Sequence, residues 1–348
     1  MTTRLVSMVL VVSSLALAGP PAPKKKYLSV SQTAKLLEDS PLQYAINMEK
    51  DDFDQWRQQN AERFWPSGKF IPAVMLKNGK LVPYENPPEI SKLVAKVEPL
   101  FEAKDYDAAL KGYDDILARH PDTYSVMLAA GDALLFGGKP KLAVERYVKA
   151  GKVNSADYRS WFYRGNAYAA LGQKEDALQS YAQALARCQT CPLLVTGAEN
   201  TLRAMGGTFR GRVFLPAVRV EKIEKGYEIR ISKKSVEWLA FGTCKAMWRG
   251  EASHRKSVTG DERDQFSIDE EKECLAQVAD FYATREKKNE VHDPAIEQFL
   301  ASFDDDLMYG FLMFEIVTRI DPHAFLFQDE ALQRLTVAYI RKYVLLTQ

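Results

Sequence analysis

A 34-residue pattern runs three times, back to back, from Ile90 to Cys191. A fixed period of that length constrains the fold more than any other feature. Each copy is one unit that cannot bury its apolar side alone, so neighbours must stack. In the third copy, Tyr158 to Cys191, the marked positions hold Trp161, Gly165, Tyr168, Gly172, Ala177, Tyr181 and Ala184. The second copy places Met127, Gly131, Leu134, Gly138, Ala143, Tyr147 and Ala150 there. The first places Leu93, Val97, Leu100, Lys104, Ala109, Tyr113 and Ile116, with Pro121 closing it. The small residues let two antiparallel helices approach closely, and the large ones fill the seam between hairpins. Gly138 and Gly172 stand where the chain must turn. The pattern predicts a stack of helical hairpins with a concave face.

These residues resemble the tetratricopeptide repeat family across 90–191. The first copy departs from the family pattern. Val97 replaces its early small residue and Lys104 its turn glycine. In the third copy Gln189 stands in place of the closing proline, and Pro192 follows late. Leu193 to Met205 looks like the extra helix that covers the last apolar face, before Gly206 and Gly207 end the array. The resemblance implies that the first helix of each repeat lines the concave face. That face would carry Val94, Glu98 and Phe101, then Leu128, Asp132 and Leu135, then Arg159, Phe162 and Asn166. Some relatives grip a C-terminal carboxylate there with lysine, arginine and asparagine. At the matching places this chain has Val94, Glu98, Asp132, Arg159 and Tyr163, so only Arg159 keeps the charge. The two acids would repel a carboxylate. An apolar floor of Val94, Leu128 and Phe162 with acidic edges suits an amphipathic protein segment bearing Lys or Arg. The alternative is that the chain's own N-terminal region or last domain occupies this face.

The first residues read as an address rather than as structure. Arg4 precedes an apolar run from Leu5 to Leu17, and Ala16-Leu17-Ala18 matches a small-x-small cleavage site before Gly19. The run is shorter than the roughly 20 residues a membrane-spanning helix needs. The expectation is a signal peptide over 1–18, a Pro- and Lys-rich linker over 19–26, and a periplasmic or secreted protein with no membrane insertion after cleavage. The whole chain has 47 Lys and Arg against 46 Asp and Glu. Removing Arg4 with the leader leaves 46 against 46. That balance gives no broad attraction to nucleic acid or anionic lipid.

Four cysteines carry more weight in an exported chain, where disulfides persist. Parity and domain placement favour Cys188 with Cys191 and Cys244 with Cys274, although sequence permits three pairings. The first pair forms a C-x-x-C motif at a helix junction, readable as a structural staple or as a redox site. Haem attachment would need a histidine where Pro192 stands.

The flanking regions suggest a mainly α chain, α+β overall. The expected domains are an N-terminal segment (27–88), the repeats with their capping helix (89–206) and a C-terminal β-hairpin plus helical domain (207–348). Ser29 or Ser31 would cap a short helix through Leu37, and Pro41 to Phe64 suggests a second. Phe70 to Tyr84 reads as a hairpin turning at Asn78-Gly79. Val213 to Ile223 and Tyr227 to Ile231 read as paired strands. Glu251 to Gln265, with His254, Arg255 and Lys256, reads as a solvated loop. Asp304-Asp305-Asp306 reads as a helix start, with Ser302 and Asp305 spaced as a capping box. No catalytic motif, cofactor loop or metal-ligand spacing accompanies the four histidines. The resulting expectation is a non-enzymatic adaptor that binds a protein partner and takes no cofactor. Alternatives are an enzyme with its chemistry in the last domain, or a redox factor using Cys188 and Cys191.

Overall fold

The computed structural model describes residues 27–49, 72–232, 236–283 and 293–347. The leader and linker therefore lie outside the described residues. Helix α1 (Val30–Glu38) begins at Ser29, whose hydroxyl accepts from the Gln32 N–H while the Gln32 side chain reaches back in a capping box. Strand β1 follows (Gln43–Glu49). This corrects the expected second helix, as far as the described residues reach. Tyr44, Ile46 and Met48 alternate with Gln43, Ala45 and Asn47, the period of a strand. Strands β2 (Val74–Lys77) and β3 (Lys80–Pro83) form the hairpin, with Asn78 and Gly79 both at positive φ in the turn.

Three helical hairpins come next. They are α2 (Pro88–Glu102) with α3 (Tyr106–Arg119), α4 (Tyr124–Phe136) with α5 (Pro140–Val153), and α6 (Arg159–Ala170) with α7 (Lys174–Arg187). Helix α8 (Pro192–Ala204) caps the stack. A Cβ on Gly131 would come within 2.4 Å of the Tyr147 ring, and one on Gly165 within 2.6 Å of Tyr181. The tyrosines fill the space the glycines leave. The first repeat solves the same problem in reverse. Val97 supplies the bulk on the first helix, and Gly112 on the second leaves room, since a Cβ there would lie 2.8 Å from Val97. Its turn is also kept. Lys104 adopts φ +62°, beside +74° at Gly138 and +72° at Gly172.

The last region starts with β4 (Thr208–Phe209), then β5 (Val218–Ile223) and β6 (Gly226–Ser232). The first of the expected paired strands begins later than its sequence suggests, because the N–H groups of Val213 and Phe214 bond to the Glu315 carboxylate at 3.1 Å instead of to a strand. Strands β5 and β6 form an antiparallel pair, and β1 joins parallel to β6, giving the order β1-β6-β5. A Cβ on Gly226 would stand 1.9 Å from the Gln43 carbonyl oxygen, so only glycine permits that approach.

The helices that follow are α9 (Leu239–Gly250), α10 (Ala252–Thr259), α11 (Ile268–Ala283) and α12 (Pro294–Asp304). Helix α13 (Met308–Phe311) runs on through a π-helical Leu312–Val317 to Thr318–Ile320. Helix α14 (Glu330–Tyr339) continues into a π-helical Ile340–Val344, and β7 (Leu345–Leu346) pairs with β4.

Two expectations for this region are corrected. The solvated loop at Glu251 to Gln265 contains α10, and His254 and Arg255 are buried there. His254 Nε2 lies 2.9 Å from Glu273, which also accepts from Trp248 Nε1 at 2.9 Å and from the Leu28 N–H at 2.8 Å. The acidic run does not start a helix. Asp304 ends α12, Asp306 takes φ +58°, and Asp305 is held by Lys342 at 2.7 Å. The Ser302 hydroxyl donates to the Phe299 carbonyl, leaving no capping box.

The segment placed before the array in sequence divides its contacts. Residues 27–49 attach to the last region, where Gln277 donates to the Leu28 carbonyl and to Thr33, and Ser40 and Tyr44 both donate to Glu251 at 2.6 Å. The hairpin attaches to the array, where Asn154 donates to the Val74 carbonyl and Tyr84 packs edge-on against Tyr124. One buried cluster covers repeats one and two. A second runs without a break from the third repeat into the last region. The junction is α7, whose Arg187 guanidinium stacks over Trp161 and Phe325. Burial pushes the Arg187 pKa down to about 9.

Candidate functional site

The first-helix face is built on tyrosines from the second helices. Tyr147 donates to Asp132 at 2.5 Å, and Tyr181 donates to Asn166 at 2.8 Å. Glu98 occupies the matching place in repeat one, exposed; burial first, then Glu98 and Asp132, raise the pKa of Tyr113. The 34-residue period thus sets Glu98, Asp132 and Asn166 in a row along the stack. Burial raises the Asp132 carboxyl to about 6, against the lowering effect of the Tyr147 hydroxyl. At neutral pH it is still charged. Tyr163 stands near it, its phenol raised to about 12 by burial first and by Asp132 second.

Above this row lies an aromatic patch. Phe101 and Phe136 meet edge to face at 5.9 Å, and Tyr106 stacks with Phe136 at 6.0 Å. Phe136 is 62% exposed. Glu98 precedes Phe101 by three residues and Asp132 precedes Phe136 by four, so each acid stands one helical turn from an aromatic. Val94 and Leu135 are half-buried beside them. The third repeat ends the stripe, with Asn166 in the row and Ala170 at the Phe136 position.

Other expected floor residues lie deeper. Leu128 is 7% exposed and Phe162 is 8% exposed. The Phe162 ring packs on Tyr181 and fills the space over Gly197, where a Cβ would come within 2.6 Å. Arg159 is committed to Asp157, whose carboxylate accepts from its backbone N–H at 2.9 Å and its guanidinium at 2.8 Å. The charge that survives at the carboxylate-gripping positions is thus neutralised within the chain. Sequence reasoning missed Phe136, Tyr106 and the tyrosines that anchor Asp132 and Asn166. The signal for the last was present, since Tyr147 and Tyr181 each follow their partner by fifteen residues.

The two cysteine pairs occur as Cys188–Cys191 and Cys244–Cys274. The first spans the α7–α8 junction with its residues 3% and 1% exposed, and the second links α9 to α11. An open polar cleft of about 500 Å³ in the last region is lined by Lys222, Lys245, Asp264, Glu270 and Glu271 among others. Lys245 pairs with Glu270 at 2.9 Å and Glu271 at 2.5 Å, so one of the cleft's lysines and two of its acids are committed to one another. Among the described residues no three His, Cys, Asp or Glu could hold a metal ion, and no helix is long and apolar enough to cross a membrane.

Stacked hairpins with a lined inner face define a helical-repeat interaction module. The tetratricopeptide repeat family model matches residues 97–145 and 128–190, and the chain carries tetratricopeptide repeats there. The crystal structure of MamA protein is similar over 58% of this chain and 97% of that one, at 13% identity and a TM-score of 0.30. No curated protein matches the chain. Tetratricopeptide repeats are a protein-interaction scaffold.

Proposed function

We propose that this chain is an exported, non-enzymatic adaptor that holds a protein partner on the first-helix face of repeats one and two. The observation that carries this reading is the aromatic patch of Phe101, Tyr106 and Phe136 set one turn from Glu98 and Asp132. An exposed phenylalanine on a half-buried aromatic base is an anchor of the kind that dominates binding energy at interfaces. Two acids beside it favour a cationic side chain and repel a carboxylate. The fitting partner is an amphipathic helix with apolar residues one turn apart and a Lys or Arg between them. Among the described residues the C-terminal helices pack on α7, a second helix, rather than on the proposed face. Export is supported by the apolar run Leu5 to Leu17 and by two buried disulfides, which persist in an oxidising compartment.

Phe136→Asp is the direct test, because the residue is exposed and its loss leaves the repeat core intact. Partner capture by the purified protein should fall at least tenfold with thermal stability unchanged. Undiminished capture would move the binding surface elsewhere. Leu128 and Phe162 are unsuitable for this test, since replacing either removes core packing.

A further inference from the structure

We propose that β1 is a self-association edge: two copies of this chain join antiparallel about Ile46, fusing their three-stranded sheets into one. In the order β1-β6-β5, no strand among the described residues pairs with the outer side of β1. The backbone alternation is fixed by one bond. Gln43 donates its N–H to the Lys225 carbonyl at 2.9 Å, so the backbone groups of 43, 45 and 47 face β6. Those of Tyr44, Ile46 and Met48 then point outward, away from the sheet.

A second copy of the same strand meets that pattern over its full length in one register. Centring the two-fold on Ile46 uses the whole of Gln43–Glu49, because 46 is its midpoint. Ile46 then faces the second copy's Ile46, and Tyr44 faces its Met48. Every outward backbone group thereby falls in a hydrogen-bonded pair that exchanges both bonds. A centre on 45 or 47 would also oppose outward groups, but would leave two residues at one end of the strand without a partner. The side chains agree with this register. Ile46 and Met48 are 52% and 46% exposed, although they neighbour the buried Ile229 and Ile231 across the ladder. The strand has no Pro, Lys or Arg, the residues that blunt a free edge, and its single acid falls opposite glutamine.

The test uses the full chain and two variants, read by sedimentation velocity across a concentration series. Wild type should sediment as a dimer. Ile46→Pro removes an outward N–H and leaves the β6 ladder intact, so it should give a monomer with an unchanged circular dichroism spectrum. Ile46→Cys should form an inter-chain disulfide on mild oxidation, because hydrogen-bonded antiparallel residues stand about 5.5 Å apart at Cα, within disulfide range. The chain has no other free cysteine to confuse the result. Met48→Cys should not cross-link to itself. A monomeric wild type, in which the chain's own residues or a foreign strand cover the edge, would overturn the proposal. So would a dimer that survives Ile46→Pro, or one in which Ile46→Cys fails to cross-link. If Ile46→Pro misfolds, the Ile46→Cys cross-link decides the matter alone.

Discussion

Tyr147 holds Asp132 by a 2.5 Å hydrogen bond from its phenol, and the same bond recurs one repeat later between Tyr181 and Asn166 at 2.8 Å. Two repeats thus use one geometry with different acceptors, a carboxylate and an amide. The carboxylate carries a charge in a partly desolvated place, which raises its pKa from 3.8 to about 6.

That difference predicts a trade of stability against binding at Asp132. Its folded-state pKa lies above the unfolded value, so its contribution to stability is fully present below about pH 4 and is lost as pH rises through 6. Asp132→Asn keeps an acceptor for Tyr147, as Asn166 does for Tyr181, and removes the charge. The variant should be more stable than wild type at pH 7.5, with the gap closing by pH 4, as read from urea midpoints at both values. It should also bind a basic segment more weakly. A gap that is constant with pH would show that Asp132 titrates normally.

Lys104 sits at φ +62°, a conformation that costs a non-glycine residue about 1–2 kcal/mol. Lys104→Gly should raise the unfolding free energy by about 1 kcal/mol, because it removes that strain and glycine's larger unfolded-state entropy offsets only part of the gain. Chemical denaturation measures this directly. A destabilised variant would mean that the lysine side chain earns its place through contacts of its own.

Gly165→Ala forces a methyl to within 2.6 Å of the Tyr181 ring. Overpacking of this kind costs about 1–3 kcal/mol. The third repeat shares its core with the last region, so unfolding should remain a single transition at a lower midpoint. Two separated transitions would contradict that shared core.

The disulfides should differ in effect. Cys244 and Cys274 are 30 residues apart, and Cys188 and Cys191 only three. Loop-closure entropy then gives about 3–4 kcal/mol for the longer bridge and about 2 for the shorter. Replacing each pair with alanine and comparing denaturant midpoints should show the larger loss at 244/274. Equal losses would point to enthalpic packing of the buried sulfurs.

The local, periodic features could be read from sequence, including the hairpins and their turns. Even the weak first repeat follows the rule, since Val97 and Gly112 exchange the large and small roles and Lys104 keeps the turn's φ. What escaped depends on residues far apart in the chain. Strand β1 is specified by a partner at 226–232, and its short alternation was lost inside a longer amphipathic stretch. His254 looked solvated because Glu273 and Trp248, which meet it, lie on other elements. The depth of Phe162 was hidden for the same reason. Its cover is Gly197, in a capping helix beyond the third repeat.

The most direct measurement is site-specific photo-cross-linking on the full chain, with the cross-linker at position 136 and a control at position 149. Lys149 is exposed on α5, a second helix, away from the proposed face. The account predicts a defined adduct from position 136 only, its linked peptide bearing Lys or Arg between apolar residues one helical turn apart, and loss of that adduct with Asp132→Lys. An equal yield from position 149, or an adduct indifferent to Asp132→Lys, would contradict it.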